Sequence, residues 1–276
     1  MSFPKAVEFS ARASQLQSID RDPDAPRKTL AIRSVRKSYG ELEAIGNVSF
    51  DVADGEFLSV VGPSGCGKST LLMMIAGVIG VSAGEIIIDA KKVAGPRSDV
   101  GVVFQSPVLL PWRTVLGNVL LPVELLDLPR TRFEPRAMEL LRMTKIDDFA
   151  RSLPRQLSGG MRQRAAICRA LVHDPRILLM DEPFSALDAI TRDEMGVELL
   201  RIWQINRKTV IFVTHSIREA AFLSDRVLVM GRRPATIIDE VAIDLPRPRE
   251  LAMTEDESFN RHVRRLRGAI EASHAS

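Results

Sequence analysis

Short apolar segments alternate with helix-like segments along most of the chain, which predicts a largely parallel β-sheet. Five runs rich in β-branched and other apolar residues are bounded by turn or charged residues, as strands buried on both faces are. These runs are FLSVV (57–61), VGVVF (100–104), ILLM (177–180), TVIFV (209–213) and RVLVM (226–230). Helical patterns follow three of them, at 68–76, 189–206 and 216–223. We therefore expect successive βα units and a parallel sheet covered by helices.

Two other regions carry different patterns. Polar and apolar residues alternate in TLAIRSVRKSY (29–39), GNVSFDVADGE (46–56) and GEIIID (84–89), which predicts antiparallel strands with one solvent-facing side. Between residues 106 and 159 the pattern is helical, with prolines that we expect to separate the helices. These prolines are Pro107, Pro111, Pro122, Pro129, Pro135 and Pro154. The predicted fold class is α/β, with an antiparallel β subdomain and an α-helical subdomain inserted at about 106–165.

The chain divides into three parts. Residues 1–28 are polar, contain acidic residues and lack a continuous apolar run, so we expect a flexible extension and no secretory signal. Residues 29–250 are predicted to form the main domain, and residues 251–276 a helical tail. One helical face of the tail carries Phe259, Val263, Leu266 and Ile270. Such a face predicts packing on the body of the protein or on a partner subunit.

Composition narrows the class of protein without naming it. A formal net charge of +3 and a hydrophobic content of 45% are ordinary for a soluble globular protein. No apolar run approaches the roughly 20 residues that a membrane span needs. Only two cysteines occur, Cys66 and Cys168, which argues against a disulfide framework and fits the cytosol.

The segment after the first apolar run carries the strongest chemical signal. GPSGCGKS, from Gly62 to Ser69, fits the pattern G-x-x-x-x-G-K-[ST] and stands between a predicted strand and a predicted helix, as a phosphate-binding loop does. Backbone amides of such a loop surround phosphate oxygens, Lys68 reaches the β- and γ-phosphates, and the Ser69 hydroxyl ligates Mg²⁺. The predicted nucleotide-binding residues here are Gly62, Pro63, Ser64, Gly65, Cys66, Gly67, Lys68, Ser69 and Thr70.

Polar residues at the ends of two later strands add candidate catalytic groups. Asp181 and Glu182 directly follow ILLM. An aspartate at the tip of a buried strand can hold Mg²⁺ through water, and the next carboxylate can orient or deprotonate an attacking water. His215 follows TVIFVT, where an imidazole can contact a γ-phosphate.

A second anion-binding pattern lies about ninety residues after the loop. In LSGGM (157–161), Ser158, Gly159 and Gly160 stand at the start of a predicted helix. A helix start offers unpaired N–H groups and the positive end of a dipole, and glycines let a phosphate approach the backbone. One nucleotide site within one chain does not explain both patterns.

With these motifs in this order, the chain resembles the nucleotide-binding subunit of an ABC transporter over about residues 29–244. In that family GPSGCGKST is the Walker A loop, LSGGM is the signature motif, and ILLMDE is the Walker B strand followed by the catalytic glutamate, Glu182. SALD (185–188) is the D-loop, which ends in Asp188, a further expected nucleotide-binding residue. The resemblance implies a P-loop NTPase fold with a RecA-like core, ATP as the nucleotide, and Mg²⁺ as the metal.

The same resemblance assigns roles to three further positions. Tyr39 matches the aromatic residue that stacks on adenine, Gln105 matches the Q-loop glutamine, and His215 matches the switch histidine. Lys68, Gln105, Glu182 and His215 are then the expected catalytic residues, and Ser69, Gln105 and Asp181 the expected metal ligands.

The family's assembly explains the two anion-binding patterns. By resemblance, two cassettes pair head to tail, and each ATP is held between Walker A of one copy and the signature residues Ser158, Gly159 and Gly160 of the other. Closure on ATP and opening after hydrolysis then drive membrane-embedded permease subunits. Met161 departs from the glutamine that is most common at its position, and we expect activity to survive the change.

A narrower resemblance concerns the transported solute. LLPW (109–112), LSGGMRQR (157–164) and IDLPRPR (243–249) are similar to the ATPase subunits of nitrate, sulfonate and taurine importers. This implies a peripheral protein on the cytoplasmic face of the inner membrane that works with permeases and, indirectly, with a solute-binding protein. We consider two roles for Trp112: a core residue of the helical subdomain, or part of a groove that receives a permease helix.

Three alternatives remain open at this point. A soluble ABC ATPase acting on nucleic acid or ribosomes is disfavoured, because those types carry a long coiled coil or two cassettes, and we expect no nucleic-acid partner. A P-loop kinase or GTPase leaves LSGGM, SALD and His215 unexplained. An exporter subunit has the same cassette motifs, so the motifs alone do not fix the direction of transport.

Overall fold

The computed structural model describes residues 28–275, and the expectations for the first 27 residues lie outside this range. The strands are β1 (Lys28–Tyr39), β2 (Leu42–Ala53), β3 (Phe57–Val61), β4 (Ala83–Ile88), β5 (Lys91–Lys92), β6 (Val100–Val103), β7 (Ile177–Asp181), β8 (Thr209–Val213), β9 (Arg226–Met230) and β10 (Ile237–Ala242). The helices are α1 (Lys68–Ile75), α2 (Val115–Val119), α3 (Leu121–Leu125), α4 (Arg130–Met143), α5 (Gly159–Leu171), α6 (Ala189–Asn206), α7 (Ile217–Leu223) and α8 (Glu257–Ala275). Short 3-10 helices lie at Asp147–Phe149, Pro154–Gln156 and Leu251–Glu255.

A six-stranded sheet forms the centre of the protein in the order β10-β9-β3-β8-β7-β6. The pairs β9–β3, β3–β8, β8–β7 and β7–β6 are parallel, and only β10 at the edge runs antiparallel to its neighbour. Each of the five apolar runs forms a strand of this sheet, as predicted. The carboxyl ends of the five parallel strands therefore meet at one edge.

The second sheet, β2-β1-β4-β5, is antiparallel. Strand β2 begins at Leu42, four residues before the alternating pattern predicts, because the β1–β2 pairing continues to the tight turn, where Tyr39 faces Leu42. Gly40 in that turn has a φ of 59°, a conformation that glycine adopts at little cost. The α/β fold class with an antiparallel β subdomain is confirmed.

The helical region matches the prediction except at one proline. Helices α2, α3 and α4 lie between the Gln105 segment and the start of α5, and α5 runs six residues past the expected boundary near 165. Pro135, which we expected to separate helices, lies inside α4. The expectation was wrong there: Pro135, the sixth residue of α4, costs one backbone hydrogen bond, but Leu140 and Leu141 beyond it are buried in the core and hold the helix in place.

The core has two halves, one on each face of the central sheet. In β3, Phe57 and Val61 face the half formed with α2–α8, whereas Leu58 and Val60 face the half formed with α1 and the antiparallel sheet. Strand residues alternate between the two faces, so a continuous apolar run supplies both halves.

Both cysteines are buried and free, and burial raises the pKa of the Cys168 thiol to about 12.

The C-terminal helix packs on the body of the same chain. Phe259, Val263 and Leu266 are buried in the core half that includes α7. Among residues 28–275 no helix is both long enough and apolar enough to cross a bilayer.

Arg249 holds the segment before α8 against the end of α7. It is only 5% exposed. Its guanidinium donates to the carbonyl oxygens of Ala221, Phe222 and Ser224, and on its other side to those of Ile243 and Leu245. The last carbonyls of a helix lack partners within the helix, so Arg249 satisfies groups that are otherwise unpaired. Burial lowers the pKa of Arg249 to about 10, and the group stays protonated at neutral pH.

We predict that Arg249→Met lowers the free energy of unfolding by at least about 2 kcal/mol, because buried carbonyl groups lose their donor. Urea titration followed by circular dichroism measures the change. Arg267→Met, on the exposed side of α8, is the control and should shift the midpoint little. Equal midpoints for the two variants would contradict the proposed anchoring role.

Candidate active site

The predicted site residues converge at the edge where the parallel strands end. The phosphate-binding loop follows β3, Asp181 is the last residue of β7, and Glu182 comes next. Gln105 lies two residues after β6, and His215 two residues after β8. The parallel register therefore brings residues from distant parts of the sequence together.

The loop between β3 and α1 is folded around the Lys68 ammonium group. Lys68 Nζ donates to the carbonyl oxygens of Gly62 (2.9 Å) and Pro63 (2.8 Å). Gly67 has a φ of 120°, and a Cβ there would lie 2.6 Å from Ile45 Cδ1. The positive φ favours glycine at this position, and a side chain there would also displace the end of Ile45. The loop has the strand–loop–helix context of a phosphate cradle.

Oxygen ligands suited to a magnesium ion lie beside the loop. Ser69 Oγ donates to Asp181 Oδ1 at 3.1 Å. Burial raises the pKa of Asp181, against the opposing effects of the Ser69 hydrogen bond and Lys68. Mg²⁺ prefers hard oxygen ligands, usually one or two protein groups with water and substrate phosphates. The hydroxyl and the carboxylate fit such an ion.

Glu182 is the meeting point of three strand ends. Its Oε2 lies 3.0 Å from His215 Nδ1 and 3.4 Å from Gln105 Nε2. Its backbone N–H donates to the Val213 carbonyl at 2.8 Å. Glu182 also has a φ of 43°, which is unusual for a residue with a side chain. Backbone strain of this kind occurs preferentially at functional sites, where the surrounding structure holds it in place.

These residues surround a cavity of about 550 Å³. Its lining consists of Ser64, Gly65, Gly67, Lys68, Ser69, Thr70, Gln105, Glu182, His215 and Arg233. All of these residues except Arg233 are site residues predicted from the sequence. Arg233 follows β9 and belongs to no motif, but β9 runs parallel to β3, so a strand-end argument would have included it.

A second carboxylate, that of Glu219, is hydrogen-bonded to the segment that carries His215. Thr214 Oγ1 donates to Glu219 Oε2 (2.6 Å) and accepts from the Ser216 backbone N–H. Arg192 lies 3.5 Å from Glu219 and donates to the Leu187 carbonyl in SALD. Burial raises the pKa of Glu219, against the effect of these two partners. The network joins the segment before α6 to the segment that carries His215, and the sequence motifs did not indicate it.

The residues of LSGGM lie outside the cavity lining. Ser158 caps α5, where its Oγ accepts from the Met161 backbone N–H at 3.2 Å, and Gly159 and Gly160 form the first turn. Asp188 caps α6 in the same way, and hydrogen bonds at that cap lower the pKa of its carboxyl. Tyr39 is 47% exposed at the β1–β2 turn and is also absent from the lining.

The helix that begins at LSGGM is tied to the Gln105 segment. Gln163 is fully buried in α5, and its Nε2 donates to the Phe104 carbonyl at 3.2 Å. Arg169, two turns further along, donates to the carbonyl oxygens of Pro107 and Val108. Helix α5 is therefore hydrogen-bonded to the backbone on both sides of Gln105.

Comparison with known protein families identifies the family to which the chain belongs. Residues 45–185 match the family model described as ABC transporter. A protein described as an uncharacterized ABC transporter ATP-binding protein of Methanocaldococcus jannaschii is 49% identical over 244 residues, which cover 87% of this chain and 91% of that protein. The chain belongs to the ABC transporter ATP-binding family.

Other relatives of this ABC ATPase carry import names. The taurine import ATP-binding protein TauB of Rhizobium johnstonii is 48% identical over 76% of this chain and 80% of its own length. The aliphatic sulfonates import ATP-binding protein SsuB of Bacillus cereus is 42% identical over 85% of this chain and 94% of its own length. The resemblance to sulfonate and taurine importer subunits is therefore confirmed.

A solved structure agrees with the fold. The dimeric post-hydrolysis state of the ATP-binding cassette MJ0796, bound to ADP and Pi, is 34% identical with a TM-score of 0.71. The match covers 79% of this chain and the whole of that one. The P-loop NTPase fold is confirmed, and the protein is an ATP-binding ATP hydrolase.

We predict that Glu182→Gln lowers the ATPase rate by about two to four orders of magnitude, as the loss of a general base does, while ATP binding persists. The amide keeps the size of the side chain and removes its basicity. Turnover is measured by phosphate release and binding by a fluorescent ATP analogue. Glu139→Gln, an exposed position in α4, is the matched control. Wild-type turnover in the Glu182 variant would refute this role.

Proposed function

We propose that this ABC ATPase is the ATP-hydrolysing subunit of an importer for a small anionic solute such as nitrate, a sulfonate or taurine. The protein would lie on the cytoplasmic face of the inner membrane, bound to permease subunits that receive the solute from a solute-binding protein. One observation carries the proposal: Lys68, Glu182 and His215 line one cavity in a chain that is 42–48% identical to proteins named for sulfonate or taurine import.

The residues around the cavity divide the chemistry among them. Lys68 and the loop amides bind phosphate oxygens. Ser69, Asp181 and Gln105 would hold Mg²⁺, which neutralises charge on the β- and γ-phosphates when bound. Glu182 orients and deprotonates the attacking water, and His215, 3.0 Å away, holds that carboxylate and contacts the γ-phosphate.

A head-to-tail dimer follows from the separation of the two anion-binding patterns. Ser158, Gly159 and Gly160 lie outside the lining of the cavity formed by the same chain's loop. Their helix start remains available to the nucleotide of a second copy, and the related cassette MJ0796 is dimeric with ADP and Pi. Tyr39 would stack on the adenine, and Asp188 would contribute to nucleotide binding.

Exposed apolar side chains of the helical subdomain are candidates for contact with the permease. Trp112 is 73% exposed, so it is not a core residue, and Val108 and Leu125 are also exposed. Arg169 connects Val108 to α5. Large apolar side chains on a surface mark interaction sites, and aromatic anchors are common at their centres. Force applied there by a permease would reach both Gln105 and the signature residues.

Affinity purification from gently solubilised membranes tests the importer proposal. We expect a polytopic permease to co-purify with the wild type, and Trp112→Ala to lose it while keeping ATPase activity. Ile238→Ala, an exposed apolar residue on β10, should retain the permease. Recovery of ribosomal or DNA-associated partners without a permease would refute the proposal, and net efflux from loaded vesicles would point to an exporter.

Mixing two inactive variants tests the composite sites. If each site combines Lys68 of one copy with Ser158 of the other, a mixture of Lys68→Ala and Ser158→Arg contains dimers with one intact site. We expect ATPase activity of up to about a quarter of the wild-type rate, because half of randomly paired dimers are mixed and each has one intact site. No recovery, together with about half of the wild-type rate when the double variant is mixed with an equal amount of wild type, would indicate sites formed within single chains, because composite sites give only about a quarter in that mixture.

A further inference from the structure

The segment between β9 and β10 lies beside the phosphate-binding loop. Gly231 N–H donates to the Thr236 carbonyl at 3.0 Å, and Ala235 N–H donates to the Ala44 carbonyl at 3.2 Å. The Met230 carbonyl lies so close to Gly62 that a Cβ on that glycine would be 2.6 Å away. The backbone on both sides of Arg233 is therefore held against β2 and the loop.

Arg233 extends from this segment over the loop. Its Nε donates to the Gly65 carbonyl at 2.6 Å, and its side chain lines the phosphate cavity with Ser64 and Gly65. A guanidinium has five N–H groups in a planar fork, and the bond to Gly65 uses one of them. The remaining fork has the geometry that binds phosphate oxygens through paired hydrogen bonds.

Arg233 adds a second positively charged side chain, besides Lys68, to the lining of the cavity. The lining includes the basic side chains of Lys68 and Arg233 and the carboxylate of Glu182. Lys68 Nζ is bonded to two carbonyl oxygens inside the loop, whereas Arg233 is exposed at the mouth of the cavity. A nucleotide brings several negative charges, so the position of Arg233 is electrostatically favourable for it.

We infer that Arg233 is a further nucleotide-binding residue, whose guanidinium donates to the phosphate chain while its Nε stays bonded to Gly65. The inference rests on the proposed role of the loop as the ATP site. The loop amides hold the α- and β-phosphates, which ADP and ATP share. Because Arg233 is bonded to the same loop, Arg233 contributes to the binding of both nucleotides.

The neighbouring residue provides a matched control. Arg232 has the same charge and is exposed, but it is not among the residues that line the cavity. Arg232→Met and Arg233→Met therefore change the net charge equally and differ only in which side chain is removed.

The experiment measures dissociation constants of MgATP and MgADP for the purified full chain by displacement of a fluorescent ATP analogue. We expect Arg233→Met to weaken both about three- to tenfold, as the loss of an exposed charge-assisted contact does, and Arg232→Met to leave them unchanged. Arg233→Lys should keep most of the affinity, and the deficit of Arg233→Met should shrink between 50 and 500 mM KCl, roughly as the Debye length does.

Equal affinities for Arg233→Met and Arg232→Met would overturn the inference. So would a deficit that is insensitive to salt, is not restored by lysine and accompanies a lowered melting temperature, because that result assigns Arg233 to the support of Gly65 alone. Lys68→Ala separates this failure from failure of the site itself: if it binds ATP like the wild type, the ATP site is wrong, whatever Arg233 does.

Discussion

The parallel register of the central sheet is the constraint on which the site depends. Strands β3, β6, β7, β8 and β9 point the same way, so the loop around Lys68, the Gln105 segment, Asp181 and His215 all leave the sheet at one edge. Each strand is buried on both faces, which leaves its carboxyl end as the place where polar side chains meet solvent. The rigid sheet thereby fixes groups that lie more than a hundred residues apart in sequence.

Glu182 shows how this rigidity is used. The residue leaves β7 with a positive φ, and its backbone is bonded to β8 at Val213. Its carboxylate then lies within hydrogen-bonding distance of Gln105 and His215, which come from the strand ends on either side. Because both neighbours contact one oxygen atom, movement of either segment changes the surroundings of the group proposed to activate water. Arg192, Glu219 and Thr214 extend the same coupling to SALD.

The helical subdomain connects this site to the outside. Gln163 and Arg169 tie α5 to the backbone around Gln105, and α5 begins with the capped turn at Ser158. The exposed Trp112 lies a few residues further along the same segment. Helix α5 therefore contacts the segment that carries Gln105, begins with the residues proposed to bind the partner's nucleotide, and supports the surface proposed for the permease.

Much of this architecture is determined by the sequence alone. Apolar runs of four or five residues between turn or charged residues indicate buried strands, because helices are usually longer than such a run. GPSGCGKS, LSGGM and the residues after ILLM and TVIFV specify the chemistry, because phosphate binding needs glycines, a lysine and strand-end carboxylates at fixed spacing. Pro135 shows the limit of such local rules, since core packing of Leu140 and Leu141 carries α4 past the proline.

Only the tertiary structure decided which distant residues touch. The sequence gives no sign that Arg233 bonds to Gly65, that Arg249 caps α7, or that Glu219 stands behind His215. These contacts depend on the order of strands in the sheet and on the path of the chain between them, neither of which leaves a local periodicity. Likewise, the sequence left Trp112 between core and surface, because an aromatic side chain suits either, and packing alone placed it outside.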